Sequence, residues 1–561
     1  MPVSENRPFW IDFYPAGVRP NLDYPEIPLY SFLEQTTQNY PEKTATIFMG
    51  GKLTYTRLKD QVDRLARALS DRGVKKGDRV GLMLPNIPQM IISYYAVLRL
   101  GAIGVGVNPM YTERELHHQL KDSGAETLIF LDILAPRVLK VAPEIPVKRL
   151  IATGIQDYLP FPKNLLYPIK AKKSGQWAEI PAGSGVLNFK DLIGNSTPNP
   201  PEVDVKPDDL AALQYTGGTT GLSKGAMLTH RNLVANVLQL TEWDPDYLEG
   251  KETILCVLPF FHSFGMTVCM NSGIYKAATL VLIPRFDLKM VLEHIHKHRV
   301  TLFPGTPTMY VAIISYPQLK QYDISSIRAC LSGAAPLPLE VQLKFQEITG
   351  GRLVEGYGLS ETSPVTHANP MDSRAQGSIG LPIPDTLCKI MDTETGETEM
   401  PPGEVGELCI KGPQVMKGYW HRPEENEKAL RDGWLYTGDI ARMNEKGFTF
   451  IVDRKKDLVI AGGYNIYPRE VEEVLFEHPK IREACVAGVP HSYRGETVKA
   501  FIVLKAGQTA TEEEITSFCK ERLAPYKVPK LVEFRSELPK TMVGKVLRRV
   551  LVEEEIKKQN G

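Results

Sequence analysis

This sequence of 561 residues lacks several features that define other protein classes. Its seven cysteines form no Cys-x-x-Cys pair, and an odd, unpatterned set indicates reduced core thiols rather than a disulfide framework. The number of lysines and arginines equals the number of aspartates and glutamates, at 66 each. The chain therefore has no overall positive electrostatic field that would favour binding to nucleic acid or to an anionic membrane. We therefore expect no nucleic-acid partner.

Signals for export or membrane insertion are also missing. Residues 1–8 contain no apolar run of the kind that forms a signal peptide. The longest apolar stretch, residues 90–107, is interrupted by Arg99 and Gly101, which favours a buried helix and strand over a membrane span. These absences predict a soluble, cytoplasmic protein and leave peripheral contact with the inner membrane face open.

Helical and strand patterns alternate through much of the chain. Apolar residues at helical spacing between residues 56 and 72 precede a strand pattern at 79–84, and the alternation continues to residue 131. A second alternating run covers residues 232–331, after a Pro/Gly-rich, charged segment at 159–207. This order predicts parallel sheets covered by helices, in two subdomains.

Beyond residue 377 the pattern changes to short strands, then to a charged segment at 453–457 and a tail of mixed helices and strands. We predict an α/β fold with a large N-terminal body of two α/β subdomains, a small β-rich unit and a mobile C-terminal α+β lid. The proposed divisions are an N-terminal subdomain at 1–205, a second at 206–376, the β-rich unit at 377–453, a hinge at 454–457 and the lid at 458–561.

Residues 215–225, YTGGTTGLSKG, form the most informative segment. Glycines let a loop turn tightly and bring backbone N–H groups close to a ligand, and hydroxyl and lysine side chains suit phosphate oxygens. The order differs from the Walker A loop, because Ser223 precedes Lys224 and Gly225 follows it. An ordinary glycine-rich surface loop is the alternative, but the density of hydroxyls and the lysine favour a polyphosphate such as ATP.

Three further short segments contain polar or aromatic side chains that suit the parts of a nucleotide. Tyr357 and Glu361 offer an aromatic plane for a base and a carboxylate for Mg²⁺. Asp439 follows a tight turn and suits the two hydroxyls of a ribose. Lys545 lies on a glycine-containing loop far along the chain. Each segment alone is compatible with an ordinary turn, but their order along one chain is specific.

That order, over about residues 25–550, resembles the adenylate-forming superfamily of acyl-CoA synthetases, luciferases and peptide-synthetase adenylation domains. The resemblance implies catalytic roles for Lys545, His262 and Glu361, with Glu361 as the Mg²⁺ ligand. It implies a hinge at Lys456 and a CoA channel at Gly462, Gly463 and Tyr464. It also implies an ATP site made of Thr216, Gly217, Gly218, Thr219, Thr220, Gly221, Lys224, Gly333, Ala334, Ala335, Tyr357, Gly358, Ser360, Asp439 and Arg454. The family more often has Thr at position 360, and Ser keeps the hydroxyl.

Residues 10–15 and 108–125 are most similar to those of bacterial long-chain fatty acid–CoA ligases. The resemblance implies fatty acid, ATP and CoA as substrates, Mg²⁺ as cofactor, and a two-step reaction through an acyl adenylate. It further implies a deep apolar tunnel, which we expect to be lined from the second α/β run. A loader of carrier-protein pantetheine, a ligase for another hydrophobic acid and a non-catalytic acyl or nucleotide sensor remain alternatives, and a homodimer is left open.

Two other patterns favour ordinary surface roles. His294, His296 and His298 form a histidine-rich segment, but only His294 and His298 share a helix face and no partner carboxylate is evident, so we favour a solvated helix. Lysines 163, 170, 172 and 173 are interleaved with apolar residues. A solvated loop is favoured there, and peripheral membrane contact is the alternative.

Overall fold

The computed structural model describes residues 7–216, 223–371, 375–455, 457–461, 464–491, 495–541 and 544–560. Within these ranges no helix has the length and apolar character needed to cross a membrane. All seven cysteines are buried and free, as their unpatterned spacing predicts.

The helices, in chain order, are α1 (Ser31–Asn39), α2 (Tyr55–Ser70), α3 (Pro88–Arg99), α4 (Glu113–Ser123), α5 (Ala135–Val141), α6 (Lys163–Lys173), α7 (Phe189–Gly194), α8 (His230–Trp243), α9 (Ser272–Tyr275), α10 (Leu288–His298), α11 (Pro307–Ile314), α12 (Leu339–Thr349), α13 (Pro423–Ala429), α14 (Pro468–Phe476), α15 (Glu512–Lys520) and α16 (Arg548–Asn560).

The strands are β1 (Thr44–Phe48), β2 (Gly51–Thr54), β3 (Arg79–Met83), β4 (Ile103–Gly106), β5 (Thr127–Leu131), β6 (Arg149–Thr153), β7 (Leu187–Asn188), β8 (Leu210–Thr216), β9 (Lys224–Thr229), β10 (Thr253–Cys256), β11 (Thr279–Leu282), β12 (Ala329–Ser332), β13 (Arg352–Gly358), β14 (Val365–Ala368), β15 (Leu381–Pro382), β16 (Leu387–Met391), β17 (Val405–Lys411), β18 (Leu430–Arg431), β19 (Trp434–Met443), β20 (Thr449–Arg454), β21 (Val459–Ala461), β22 (Tyr464–Ile466), β23 (Ile481–His491), β24 (Gly495–Leu504) and β25 (Leu531–Phe534).

Local sequence signals account for many of these boundaries. Thr112 and Glu115 form the reciprocal hydrogen bonds of a capping box at the start of α4, and Gly124 ends that helix in the left-handed region. Pro468 occupies the first turn of α14, where its missing N–H costs nothing. Thr511 caps the start of α15, because its hydroxyl accepts a hydrogen bond from Glu514 N at 3.2 Å.

Three sheets build the N-terminal body. A seven-stranded sheet has the order β7-β6-β5-β3-β4-β8-β9 and is parallel except for the β8–β9 hairpin. Two four-stranded sheets have the orders β10-β11-β1-β2 and β12-β13-β14-β15. A β-rich unit follows, with the order β16-β17-β19-β18 and β20 paired to β19. The predicted large α/β body with a small β-rich unit is thus confirmed.

Strand pairing crosses the proposed division at residue 206 in both directions. The hairpin β8–β9 follows that residue but completes the seven-stranded sheet through β4. Strand β1 precedes it but pairs in parallel with β11. The two α/β runs therefore share strands, and the division into residues 1–205 and 206–376 stays a proposal.

The C-terminal lid has its own sheet, β22-β21-β24-β23 with β25 beside β24, and its own core. One apolar cluster includes Val459 and Val532, and a second includes Cys485 and Leu551. The main cluster of the body draws on residues from Trp10 to Phe448. Each part thus buries its own apolar side chains, and the predicted α+β lid is confirmed.

One local prediction was wrong. Residues 163–173 form helix α6 rather than a loop. Pro168 lies inside that helix and, read alone, predicts a helix end, because proline lacks an N–H and usually interrupts the helix interior.

Candidate functional site

The glycine-rich segment lies between two antiparallel strands. Thr216 at the end of β8 faces Lys224 at the start of β9, so the segment closes a hairpin rather than a strand-to-helix turn. Gly217, Gly218, Thr219, Thr220 and Gly221 lie outside the described residues. The described ends of the segment, Thr216 and Lys224, are cross-strand partners at one end of the β8–β9 pair.

Lys224 belongs to a polar cluster that includes a carboxylate from far along the chain. Its ammonium forms an ion pair with Glu425 and lies 5.4 Å from the centre of the Tyr419 ring. The Tyr419 hydroxyl donates to Oε1 of Glu361 at 2.8 Å. Burial, and then the charge of Glu361, raises the pKa of Tyr419. Lys224 and Glu361 are therefore placed around one buried phenol.

Sequence reasoning missed both Tyr419 and Glu425. The segment before α13 reaches the site because it adds to the edge of β9, where Trp420 N donates to the carbonyl of Gly225 at 2.8 Å. Met227 N also donates to the carbonyl of Gly418 at 2.8 Å. These contacts join residues nearly 200 positions apart, so no local pattern could reveal them.

A second cluster joins the predicted base-stacking and ribose-binding residues. The Tyr357 hydroxyl donates to Oδ2 of Asp439 at 2.5 Å, and Arg454 Nε lies 3.1 Å from Oδ1 of the same carboxylate. Asp439 and Arg454 are cross-strand partners on β19 and β20. Burial, followed by the charge of Asp439, raises the pKa of Tyr357. An aromatic ring, a carboxylate and a guanidinium thus form one hydrogen-bonded unit.

The segment after β12 is packed too closely for larger side chains. A Cβ added at Gly333 would lie 2.9 Å from the Phe264 ring, and one added at Gly358 would lie 2.0 Å from the carbonyl oxygen of Pro364. Ala334 adopts a left-handed φ of +69° and leads into Ala335. Ser263 donates to Oγ of Ser360 at 3.4 Å. Gly333 and Ser360, the predicted contacts to adenine and the α-phosphate, therefore lie beside residues 259–265.

His262 is held neutral at this junction. Burial, and secondarily the charge of Lys545, lowers its pKa to about 4. Its Nδ1 accepts a hydrogen bond from Phe264 N at 3.2 Å, which requires an unprotonated nitrogen. Lys545, whose charge contributes to that shift, belongs to the lid.

The loop of the lid that carries Lys545 packs directly on the body. Gly544, with φ +76°, comes so close to α11 that an added Cβ would lie 2.9 Å from Oγ1 of Thr308. The loop is closed by Thr541 N donating to the carbonyl of Lys545 at 2.8 Å and by Lys545 N donating to Oγ1 of Thr541 at 3.2 Å. The loop that carries Lys545 thus lies against α11 of the body.

Charged groups from both sides surround the predicted hinge. Lys456 itself lies outside the described residues, as do Gly462 and Gly463, while Tyr464 begins β22. On the lid side, Arg548 donates to Asp457 at 2.6 Å and to Glu472 at 2.8 Å. On the body side, burial raises the pKa of Asp453 to about 6.

A small cavity, with room for about one water molecule, lies directly behind the 259–265 segment. Gln214 Nε2 donates to the carbonyl of Phe261 at 2.8 Å, and Met266 N donates to the carbonyl of His262 at 2.9 Å, so its wall is continuous with the site. Its lining residues are Leu82, Met90, Tyr94, Gly104, Gly106, Ala212, Gln214, Phe260 and Met266. They come from both α/β runs, whereas the sequence expectation placed the tunnel lining in the second.

Comparisons with known proteins identify relatives over nearly the whole chain. Residues 33–420 match the AMP-binding enzyme family, and residues 470–545 match the AMP-binding enzyme C-terminal domain. A long-chain-fatty-acid–CoA ligase of Bacillus subtilis (strain 168) is 51% identical over 550 residues, which covers 97% of this chain and 98% of that protein.

Solved structures agree with these matches. The crystal structure of ATP-bound MatB from Rhodopseudomonas palustris has a TM-score of 0.83 at 31% identity, and covers 94% of this chain and 99% of its own. The anthranilate CoA ligase AuaEII in complex with anthranoyl-AMP has a TM-score of 0.85 at 26% identity, and covers 96% and 99%.

Proposed function

Because the chain belongs to the AMP-binding enzyme family, we propose that it is an ATP-dependent long-chain fatty acid–CoA ligase. A carboxylate reacts with ATP to give an acyl adenylate and pyrophosphate, and the thiol of CoA then displaces AMP to give acyl-CoA. The observation that carries this proposal is the Tyr357–Asp439–Arg454 unit, together with the hydrogen bond that joins Ser360, next to Glu361, to Ser263, next to His262.

In the first step the fatty acid carboxylate attacks the α-phosphorus in line, and pyrophosphate leaves. Negative charge grows on the phosphate oxygens, so a cation held there stabilises the transition state more than the ground state. Lys545 supplies that charge from the lid. His262 is neutral at physiological pH, so it contacts the substrate carboxylate without forming an ion pair that would hold the carboxylate in place.

The nucleotide is assigned to the two polar clusters. Tyr357 lines the adenine with residues 333–335, Asp439 binds the ribose hydroxyls and Arg454 orients that carboxylate. Residues 216–224 hold the phosphates, and Ser360 contacts the α-phosphate. These roles follow from the family resemblance and are supported by the hydrogen bond of Tyr357 to Asp439.

Glu361 is assigned as the Mg²⁺ ligand. Its carboxylate offers the hard oxygen that Mg²⁺ prefers, and Tyr419 orients it through Oε1. Bound Mg²⁺ would neutralise part of the charge on the phosphates. The site fits that ion, because the described residues around it supply an oriented carboxylate beside a phosphate-binding hairpin.

For the second step we propose that the lid swings about Lys456 and presents Gly462, Gly463 and Tyr464 to the pantetheine channel. A rigid-body rotation of this kind is absorbed by a few residues between two elements. The cavity behind residues 259–265 is assigned to the acyl chain. Transient membrane contact and homodimer formation stay predictions at this point.

Pyrophosphate release measured against acids of increasing chain length, with and without CoA, tests the proposal. We expect the highest kcat/KM with long-chain acids and acyl-CoA as the product. Thioester formation on the pantetheine of a carrier protein but not on CoA would instead favour a pantetheine loader. A preference for short or aromatic acids would favour a ligase for another hydrophobic acid.

A further inference from the structure

Helix α6 exposes a large apolar face. Four apolar side chains, in the helix and in the turn before it, are between 56 and 80% exposed: Phe161, Leu165, Leu166 and Ile169. Leu165, Leu166 and Ile169 share one side of the helix, since their positions differ by one, three and four residues. Ala171, on the opposite side of α6, is buried. A protein of this size rarely leaves such a set uncovered without a partner.

Lysines border this face, and acidic residues are missing from it. Lys163, Lys170, Lys172 and Lys173 all lie in α6, and the sequence contains no Asp or Glu between Asp157 and Glu179. Glu179 pairs at 3.4 Å with Lys172 in an exposed contact, which solvent screens strongly. The chain as a whole is neutral, so this positive charge is a local feature.

The structure places the histidine-rich helix beside the same surface. Burial, and then the charges of Lys297 and Lys163, lowers the pKa of His294. The ring centre of His298 lies 5.2 Å from that of His294. Burial, and then the charges of His294, Lys297 and Lys52 of β2, lowers the pKa of His298 to about 4. Lys163 also donates to the carbonyl of Met49 at 3.1 Å, which fixes α6 to the β1–β2 turn. Two sequence patterns that appear unrelated thus contribute basic groups to one surface.

We propose that this surface, formed by Phe161 and α6 and bordered by Lys52 and Lys297, docks on an anionic phospholipid bilayer. Apolar side chains flanked by lysines fit the boundary between acyl chains and headgroups, and the lysines attract anionic lipid. A second copy of this chain fits less well, because pairing α6 with itself would bring its lysines together. The inference goes beyond the proposed function, since it stands on the exposed helix and not on any catalytic assignment.

Co-sedimentation of the full-length protein with vesicles tests the inference. Phosphatidylcholine vesicles are compared with vesicles that also contain phosphatidylglycerol, at low and high salt. We expect the wild type to bind the anionic vesicles at least roughly tenfold better at low salt, and to lose that advantage as salt screens the charges.

Two variants separate the apolar and the charged contributions. Leu165→Ser with Leu166→Ser and Ile169→Ser should reduce binding at both salt concentrations, because apolar burial is not screened. Lys163→Gln with Lys170→Gln, Lys172→Gln and Lys173→Gln should reduce it mainly at low salt. The control is Leu343→Ser with Lys344→Gln on α12, where Leu343 is also exposed, and it should bind as the wild type does.

Pyrophosphate release with a water-soluble, medium-chain acid should stay unchanged in all three variants, which shows that they fold. Absence of wild-type binding, or equal binding by wild type and both α6 variants, would overturn the inference. So would a wild-type dimer that the leucine variant converts to a monomer while vesicle binding persists, since α6 would then be a protein interface. Vesicle binding without any ligase activity would count against the proposed function alone.

Discussion

Asp453 and Arg548 approach each other to 4.0 Å across the hinge, one from the body and one from the lid. Asp453 also accepts a hydrogen bond from Arg469 N at 2.8 Å, at the start of lid helix α14. A swing of the lid would separate Asp453 from both groups. In the observed arrangement these contacts are made while the Lys545 loop packs on Thr308, which is the position that the proposed role of Lys545 in adenylation requires.

Replacing Lys545 with Ala should slow acyl-adenylate formation roughly a hundredfold or more, the scale for losing one transition-state charge partner. Thioester formation from pre-formed acyl adenylate should change much less, because the lid has swung by then. The two half-reactions are measured separately by single-turnover kinetics. Lys540→Ala is the control, since Lys540 pairs with Glu483 at 2.6 Å within the lid. Equal losses in both half-reactions would contradict the assignment.

Replacing Glu361 with Gln should raise the Mg²⁺ concentration needed for half-maximal adenylation, because a neutral amide binds a hard divalent cation poorly. The titration is run at saturating ATP with the wild type and with Glu340→Gln, an exposed residue of α12. An unchanged Mg²⁺ requirement would mean that another carboxylate holds the ion.

Replacing Lys456 with Pro should separate the two steps. Proline fixes φ near −65° and removes an N–H, so the lid rotation should be impeded. Acyl adenylate should accumulate on the enzyme while transfer to CoA slows. Lys456→Ala removes the charge but leaves the backbone free, and it should retain most of the transfer rate. A wild-type rate of single-turnover thioester formation in the proline variant would rule this hinge out.

Replacing Gly104 with Val should shift the preferred acyl chain length downward. A Cβ at this position lies 3.5 Å from the Tyr94 ring, an ordinary contact, and the two methyl groups that valine adds beyond Cβ should take up further space in the cavity that Gly104 lines. We expect kcat/KM to fall roughly tenfold or more for long acids and little for medium ones. Gly194→Val is the control, since an added Cβ there meets no atom within 4 Å. A uniform loss across all lengths would indicate general damage instead.

Stability should decrease on acidification through His230. This histidine is fully buried, its Nδ1 accepts from Leu29 N at 3.1 Å, and burial lowers its pKa to about 4. Below the unfolded pKa of about 6.5 the unfolded chain binds a proton that the folded chain excludes. The free energy of unfolding should therefore fall by about 2 kcal/mol for this residue between about pH 6.5 and about pH 5, and the loss should end near the folded pKa.

His230→Gln should remove that part of the pH dependence. Denaturant unfolding is followed for wild type, His230→Gln and the exposed control His296→Gln at about pH 7 and about pH 5. A slope that is the same in all three proteins would mean that His230 does not contribute.

Much of the fold follows from local patterns. The helical pattern at residues 113–123 and the apolar run at 127–131 predict a helix and a strand, and α4 and β5 have these limits, because capping residues and short apolar runs set them. The sharing of strands between the two α/β runs could not be predicted, since strand partners are chosen by tertiary packing rather than by neighbouring sequence.

The candidate site also contains some residues that the local sequence indicates and others that it does not. Lys224, Glu361 and Asp439 are evident because each lies in a short segment rich in glycine or hydroxyl residues. Tyr419 could not be predicted, because its role depends on strand addition to β9 and on a hydrogen bond to Glu361. A lone aromatic residue carries no sign of such a contact.

The shared strands also determine which parts of this protein can be exchanged between relatives. A chimera joined at residue 206 would have to rebuild the β4–β8 and β1–β11 pairings with foreign partners. A chimera joined at the hinge would keep every strand pair of the body and every strand pair of the lid. The lid can therefore be exchanged without breaking a strand pair among the described residues, whereas the body must be exchanged as one piece.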